Sequence, residues 1–219
     1  MLKHAASDLL DRGHAHDVHL EDTFDFVNTG VIDDSDPEDR LPTLDAALEW
    51  FVERGVIHGE GAETVRTHAV AEEPRARDLG RVHAVRAALR EVANAVTEQR
   101  APLAASLDTI NRALRARQVI ELVPAPDGVN VDHRHVGSPV DDALARLADP
   151  LVAELTDGHP ERIKVCDSST CEWIFYDTSR TSRRRWCDMS TCGNRAKAAR
   201  HRARERDAAN ADQAGSSAE

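Results

Sequence analysis

Four cysteines occupy the last quarter of a 219-residue chain, as Cys166-x4-Cys171, a gap of fifteen residues, and Cys187-x4-Cys192; there is no fifth. Two matched, short-spaced thiol pairs form the donor set of a closed tetrahedral site. Zn2+ is borderline soft, has no redox chemistry, and takes four thiolates at ~2.3 Å where its role is structural. Each short turn can hold two sulfurs on one side of the ion, and the gap lets the chain fold back. Catalytic zinc keeps an open position, which four thiolates do not leave. Disulfides belong to oxidising compartments, and unrelated buried thiols have no reason to cluster so tightly. A redox switch that also binds the metal is the remaining alternative. The reading is one structural Zn2+ held by Cys166, Cys171, Cys187 and Cys192.

Residues 162–165 lead into the first pair, and EWIFY (172–176) leaves it with aromatic and β-branched residues, so the flanks predict a hairpin with a metal-binding turn. After Cys192 the chain passes through Gly193, Asn194 and Arg195 into AKAARHRARER, a run of strong helix formers. Cys192 then stands at a helix start, where the N–H groups and the dipole favour a thiolate. A module of this size cannot fold on apolar contacts alone, and metal binding supplies the missing free energy. Trp173, Ile174, Phe175 and Trp186 are its candidate core.

The charge is uneven. Residues 160–206 carry twelve Lys/Arg against six Asp/Glu, a net +6, whereas 1–159 carry −14. At ~100° per residue, Arg195, Arg202 and Arg206 form one stripe of the last helix. Lys197, Arg200 and Arg204 form another, roughly opposite, with alanines between. Arg183, Arg184 and Arg185 add a basic knot before Cys187. Such groups pair with phosphates and release counterions, and arginine also reads guanine edges. The candidate nucleic-acid residues are therefore Arg183, Arg184, Arg185, Arg195, Lys197, Arg200, Arg202 and Arg204. A solvated charge-rich helix, or charge balance between two packed parts, would look similar. Single-stranded RNA is a further alternative, because Trp173, Phe175, Tyr176 and Trp186 could stack on bases.

The remainder reads as a helical body. Aromatics at 4% imply a core rich in Leu, Val and Ala. Helices are expected from Thr43 to Gly55 (Leu44, Leu48, Phe51 and Val52 inward), over 62–73 up to Pro74, over 75–100, and over 102–117. In the last of these Leu103, Leu107, Ile110 and Leu114 face inward. VIELV and VNVDHRH flank PAPDG, which predicts a β-hairpin. Ser138 and Pro139 open a helix to about Leu155, with Leu144, Leu147 and Leu151 inward, that Pro150 kinks or splits. TDGHP (156–160) reads as a linker and ANADQAGSSAE as a disordered tail. His4, His14, His16 and His19 read as a His-rich flexible terminus, and His133 and His135 as one face of a strand at the surface. Asp25, Asn28 and Thr29, polar among apolar neighbours in FDFVNT, either cap a helix or line a ligand pocket. No run is apolar enough for a membrane span, the N-terminus lacks a signal-peptide pattern, and no catalytic motif stands out. The chain is expected to be cytoplasmic and not an enzyme.

The run RRRWCDMSTCGNRAKAARHRAR, preceded by CDSSTC and FYDTSR, resembles the CGNR zinc finger, named for Cys192, Gly193, Asn194 and Arg195. FDFVNT resembles the opening of the ABATE domain, the usual companion of that finger in a bacterial family of stress-related transcription regulators. The resemblance implies that the four cysteines bind zinc and that the following helix meets DNA.

Together these readings predict a mainly α chain with small β elements. A flexible N-terminus (1–20) precedes an ABATE-like helical domain with a β-hairpin (21–157), a treble-clef-like zinc finger (160–206) and a disordered tail (207–219). The expected function is that of a zinc-containing, nucleoid-associated DNA-binding transcription regulator, whose body senses a small-molecule effector or forms a homodimer. The alternative is a zinc-stabilised protein-interaction or RNA-binding module.

Overall fold

The computed structural model describes residues 18–31, 39–57, 59–68, 72–115, 118–125, 128–135 and 137–216. Seven α-helices and two antiparallel strand pairs succeed one another in this part: α1 Leu20–Asn28, α2 Leu44–Glu53, α3 Gly59–His68, α4 Glu72–Thr97, α5 Ala104–Leu114, β1 Gln118–Ala125, β2 Gly128–His135, α6 Pro139–Asp157, β3 Ile163–Val165, β4 Ile174–Tyr176 and α7 Asn194–Ser216. The fold is mainly helical, with a small four-cysteine module at its C-terminal end.

The short helix α1 lies deep in the body: Thr23, Phe24, Phe26, Val27 and Asn28 are all buried. Phe26 meets the rings of Trp50 and Phe51 on α2, with centroids 5.7 and 6.0 Å apart. Thr23 donates its hydroxyl to the Leu147 carbonyl of α6 at 2.9 Å. Each neighbouring helix starts on a local signal. Thr43 accepts from the Ala46 N–H at the head of α2. Ser138 and Asp141 exchange hydrogen bonds at the head of α6, and Gly55 ends the α2 turn at φ 65°, a left-handed value that suits glycine.

Several expectations change. Val52 is 37% exposed, because eight residues past Leu44 it falls ~80° from it, on the edge of the buried stripe. Pro74 does not end α3, which stops at His68; it sits in the first turn of α4, where a missing N–H costs nothing. Leu103 is the N-cap of α5 and, like Leu107, is exposed. That helix meets the body through Ile110, with Ala113 and Leu114 partly covered. Helix α6 runs through Pro150 as one element, so the split does not occur. Helix α7 continues past Arg206 to Ser216, so the backbone of 207–216 is helical where a disordered tail was expected; 217–219 lie outside the described residues.

β1 and β2 pair as expected, with Ile120 opposite His133 and Gln118 opposite His135. His19 is the N-cap of α1; His4, His14 and His16 lie outside the described residues.

TDGHP is not a free tether. Thr156 and Asp157 still belong to α6, and Pro160 opens a 3-10 turn, Pro160–Arg162, that leads into β3. Ile163 of β3 and Ile174 of β4 join the same apolar core as the helices. The Asn28 amide then clasps β4 as a strand would: its Nδ2 donates to the Ile174 carbonyl at 2.8 Å, and its Oδ1 accepts from the Ile174 N–H at 2.9 Å. Tyr176 donates to Glu154 of α6 at 2.8 Å.

The Asn28→Ala change leaves both Ile174 backbone groups unpaired in a buried place, at a cost of about 2–4 kcal/mol. Thermal or urea unfolding of the zinc-loaded chain reads this loss. A loss below about 1 kcal/mol would mean that the clasp contributes little.

Candidate metal centre and basic helix

Cys166 directly follows β3, and Cys171 lies just before β4, so the first pair sits on the turn of a hairpin. The Cys166 N–H bonds the Trp173 carbonyl at 2.9 Å and closes that turn. The second pair spans a single π-helical turn, Met189–Gly193, that runs directly into α7. Asp188 builds it: one carboxylate oxygen accepts from the Thr191 N–H at 2.8 Å and from the Ser190 and Thr191 hydroxyls. Those bonds, the Ser190 hydroxyl foremost, lower the Asp188 pKa to about 2.

The four sulfurs lie within 4.8 Å of one another. Cys187 Sγ stands 3.7 Å from Cys171 Sγ and 3.8 Å from Cys192 Sγ. A tetrahedron with ~2.3 Å zinc–sulfur bonds has edges of ~3.8 Å, which these two separations match. The Cys187 N–H points at Cys166 Sγ at 3.5 Å. Burial pushes the Cys171 thiol up to about 11. Burial, then the charges of Cys166 and Cys171, raise Cys187 further. Burial would raise Cys192 as well, but hydrogen bonds from the Cys187, Cys171 and Cys166 thiols outweigh it and lower the value. A cluster in which one thiolate is favoured at its neighbours' expense needs a cation to become four thiolates. The donor set and geometry fit one structural Zn2+.

The remaining residues of the Cys-Gly-Asn-Arg turn have structural tasks. Gly193 leaves room for Met189, whose sulfur would lie 2.8 Å from a Cβ there. Asn194 donates to the Ser190 carbonyl at 2.9 Å. Arg195 reaches back 3.1 Å to the Thr170 hydroxyl, between the first two cysteines.

The family profile described as "CGNR zinc finger" matches residues 162–205. The profile of the ABATE family, described as "Putative stress-induced transcription regulator", matches residues 23–158. The chain belongs to the ABATE family. No curated protein matches it closely enough to be named beside these families.

The structure divides the basic residues of this ABATE protein in two. Arg184 is half-buried over the Phe175 ring; its backbone N–H bonds Asp177, and its guanidinium bonds the carbonyls of Trp186 and Cys187. Arg185 pairs with Asp167 and lies over Trp186, which Arg200 faces at 5.9 Å. These three and Arg195 help hold the CGNR finger together. Arg183, Lys197, Arg202 and Arg204 are exposed, as are Arg185, Arg195 and Arg200, but the first four make none of these contacts among the described residues. On the described part of α7, His201 and Glu205 approach as an ion pair at 3.2 Å.

The polar residues of FDFVNT have partners within the fold. Asn28 is occupied by Ile174. The Thr29 hydroxyl donates to the Phe26 carbonyl and accepts from the buried Arg86, itself paired with Asp39. Asp25 pairs with Arg54 at the surface.

Several structural residues escaped the motif reading. Asp177, in FYDTSR, is fully buried; it accepts from Lys164 Nζ at 2.5 Å and from the Ser179 and Arg184 N–H groups. It thereby folds the loop that displays Arg183. A signal for Asp188 was present in the matched strings CDSSTC and CDMSTC, each with an Asp after its first cysteine. The partner of Asn28 left no such trace.

Metal analysis should find about one zinc per chain, lost in Cys187→Ser, as a four-thiolate structural site requires. A serine variant that keeps its zinc would refute the four-sulfur site. Burial by itself would raise the Asp177 carboxyl, but the bonds from Lys164, Ser179 and Arg184 hold it well below its ordinary 3.8. Its stabilisation is therefore complete above about pH 4 and is lost only as pH falls further. The Tm gap between wild type and Asp177→Asn should be flat from about pH 8 to 5 and shrink only in stronger acid. A gap that closes between about pH 7 and 5 would contradict this assignment.

Proposed function

We propose that this ABATE protein is a DNA-binding transcription regulator in which the zinc-organised finger (160–206) aims α7 at duplex DNA and the helical body (21–157) holds the finger in place. One observation carries the reading: a cationic helix leaves the metal centre with Lys197, Arg202 and Arg204 exposed and outside the finger contacts that engage Arg184, Arg185, Arg195 and Arg200. Arg183, displayed by the loop that Asp177 folds, supports a second contact beside the helix. Both matched families point toward regulation rather than enzymatic work. No helix among the described residues is long and apolar enough to cross a membrane. The reading places the protein in the cytoplasm, at the nucleoid.

Effector sensing and pairing with a second copy belong to the same proposal as tasks of the body. A cleft of about 760 Å3 opens where the end of α4 meets β3 and the basic segment 183–185, with Val96, Ile163, Val165 and Arg183 among its walls. Its volume is that of a small-molecule site, and a ligand there would touch body and finger together.

Each phosphate contact contributes a slope of about −0.9 to log K against log salt. Replacing Lys197 and Arg204 together by Ala should flatten that slope by about 2 and weaken duplex binding uniformly across sequences, with zinc content unchanged. Fluorescence anisotropy with a random duplex over a salt series measures this. An unchanged slope would take the contact away from α7. Preference for single-stranded RNA would favour stacking by the finger's aromatics, and no binding to either nucleic acid would leave a protein-interaction module.

A further inference from the structure

We propose that Arg90, a residue of the helical body, is a cation from outside the finger that helps offset the negative charge of the metal centre, so that the finger's hold on zinc depends on the body. The inference rests on the zinc reading of the four cysteines.

Four thiolates around Zn2+ leave a net charge of about −2 in a small, partly buried volume. The finger itself offers an N–H from Cys187 to one sulfur, and its own cations Arg184 and Arg195 are bound to the Cys187 carbonyl and the Thr170 hydroxyl. The body adds a further cation beside Cys171. Arg90 projects from α4 and donates through Nη2 to the Glu172 carbonyl, the residue after Cys171, at 2.5 Å. Arg40 lies over the ring of Trp173 with its guanidinium 5.4 Å from the centroid, and Trp173 packs on the cysteine cluster.

Arg90 is itself under-compensated. Its side chain is 22% exposed, and among the described residues its Nη1 is buried with no hydrogen-bond partner. Burial lowers its pKa; Glu172 and Cys171 pull in the other direction, and Arg86 one turn away adds to the lowering. The Glu172 carboxylate, 3.8 Å away and 83% exposed, is screened by water and repays little. An undersatisfied buried cation therefore sits one residue from a ligand of an anionic cluster, and each supplies the charge that the other lacks. Outer groups of this kind tune metal affinity as strongly as some ligands do.

The test is chelator competition on the full zinc-loaded chain, with a chromophoric chelator and the wild type measured first. If the wild type holds no zinc, the metal reading fails on its own ground, separately from Arg90. Arg90→Gln keeps a donor for the Glu172 carbonyl but removes the charge; it should hold zinc about 10-fold more weakly. Arg90→Lys keeps charge and donor and should stay within about threefold of wild type. A merely structural Arg90 would lower Tm without separating the two variants. Zinc held by Arg90→Gln as tightly as by wild type, or equal weakening in both, overturns the proposal. Should Arg90→Gln fail to fold, Arg90→Met serves: it keeps the apolar stem without the charge and should hold zinc about 10-fold more weakly, and zinc held as tightly as by wild type overturns the proposal.

Discussion

Mutual repulsion among four sulfurs is the constraint on which the C-terminal half of this structure depends. Held within 4.8 Å of one another, they cannot all ionise unless a divalent ion sits among them. The backbone around them is arranged for that state: a hairpin turn closed by the Cys166–Trp173 bond and a π-helical turn closed by Asp188 present two sulfurs each. Both turns are closed by local hydrogen bonds. That lowers the conformational entropy the metal must overcome.

The metal is only one of two supports. Composition suggested a finger with a private core of Trp173, Ile174, Phe175 and Trp186. In the structure that set divides. Trp173 and Trp186 pack on the cysteines, whereas Ile174, with Ile163, enters the body's core. The finger is thus held on one side by a charge and on the other by apolar burial and the Asn28 clasp. The consequence is geometric. A helix on a flexible tether samples many orientations, but α7 follows directly from a turn that Arg195 links to a hairpin packed on α1, α4 and α6.

What the sequence disclosed follows from the range of each signal. Cysteine spacing, the period of α4 and α6, and the turn between β1 and β2 are local, and each was legible. Exposure at Val52, Leu103 and Leu107 was not, because periodicity says which residues share a face and not how far a neighbour covers it. Pro74 was read as a stop when it begins a helix; the residue breaks a helix interior and suits a first turn equally well, and only the position of α3 decides between them. Asn28 illustrates the harder limit. Its amide reads as a polar residue of α1, yet its partner lies 146 residues away in β4.

Arginine shows the same limit where it bears on function. Counted along the chain, Arg183, Arg184, Arg185, Arg195, Arg200, Arg202 and Arg204 are equivalent positive charges. Their surroundings are not. A guanidinium satisfies carbonyls, carboxylates and aromatic faces as readily as phosphates, and this small module uses Arg184 on two carbonyls, Arg185 on Asp167 and Trp186, and Arg195 on Thr170. A finger with little apolar core needs such bonds, because they cross-link loops that burial cannot. Net charge therefore overstates the surface offered to a polyanion. The exposed residues outside these bonds are Arg183 and, along α7, Lys197, Arg202 and Arg204, beside the Arg185–Trp186–Arg200 stack. That stack connects the basic segment 183–185 to the helix, so the two exposed groups share a common frame.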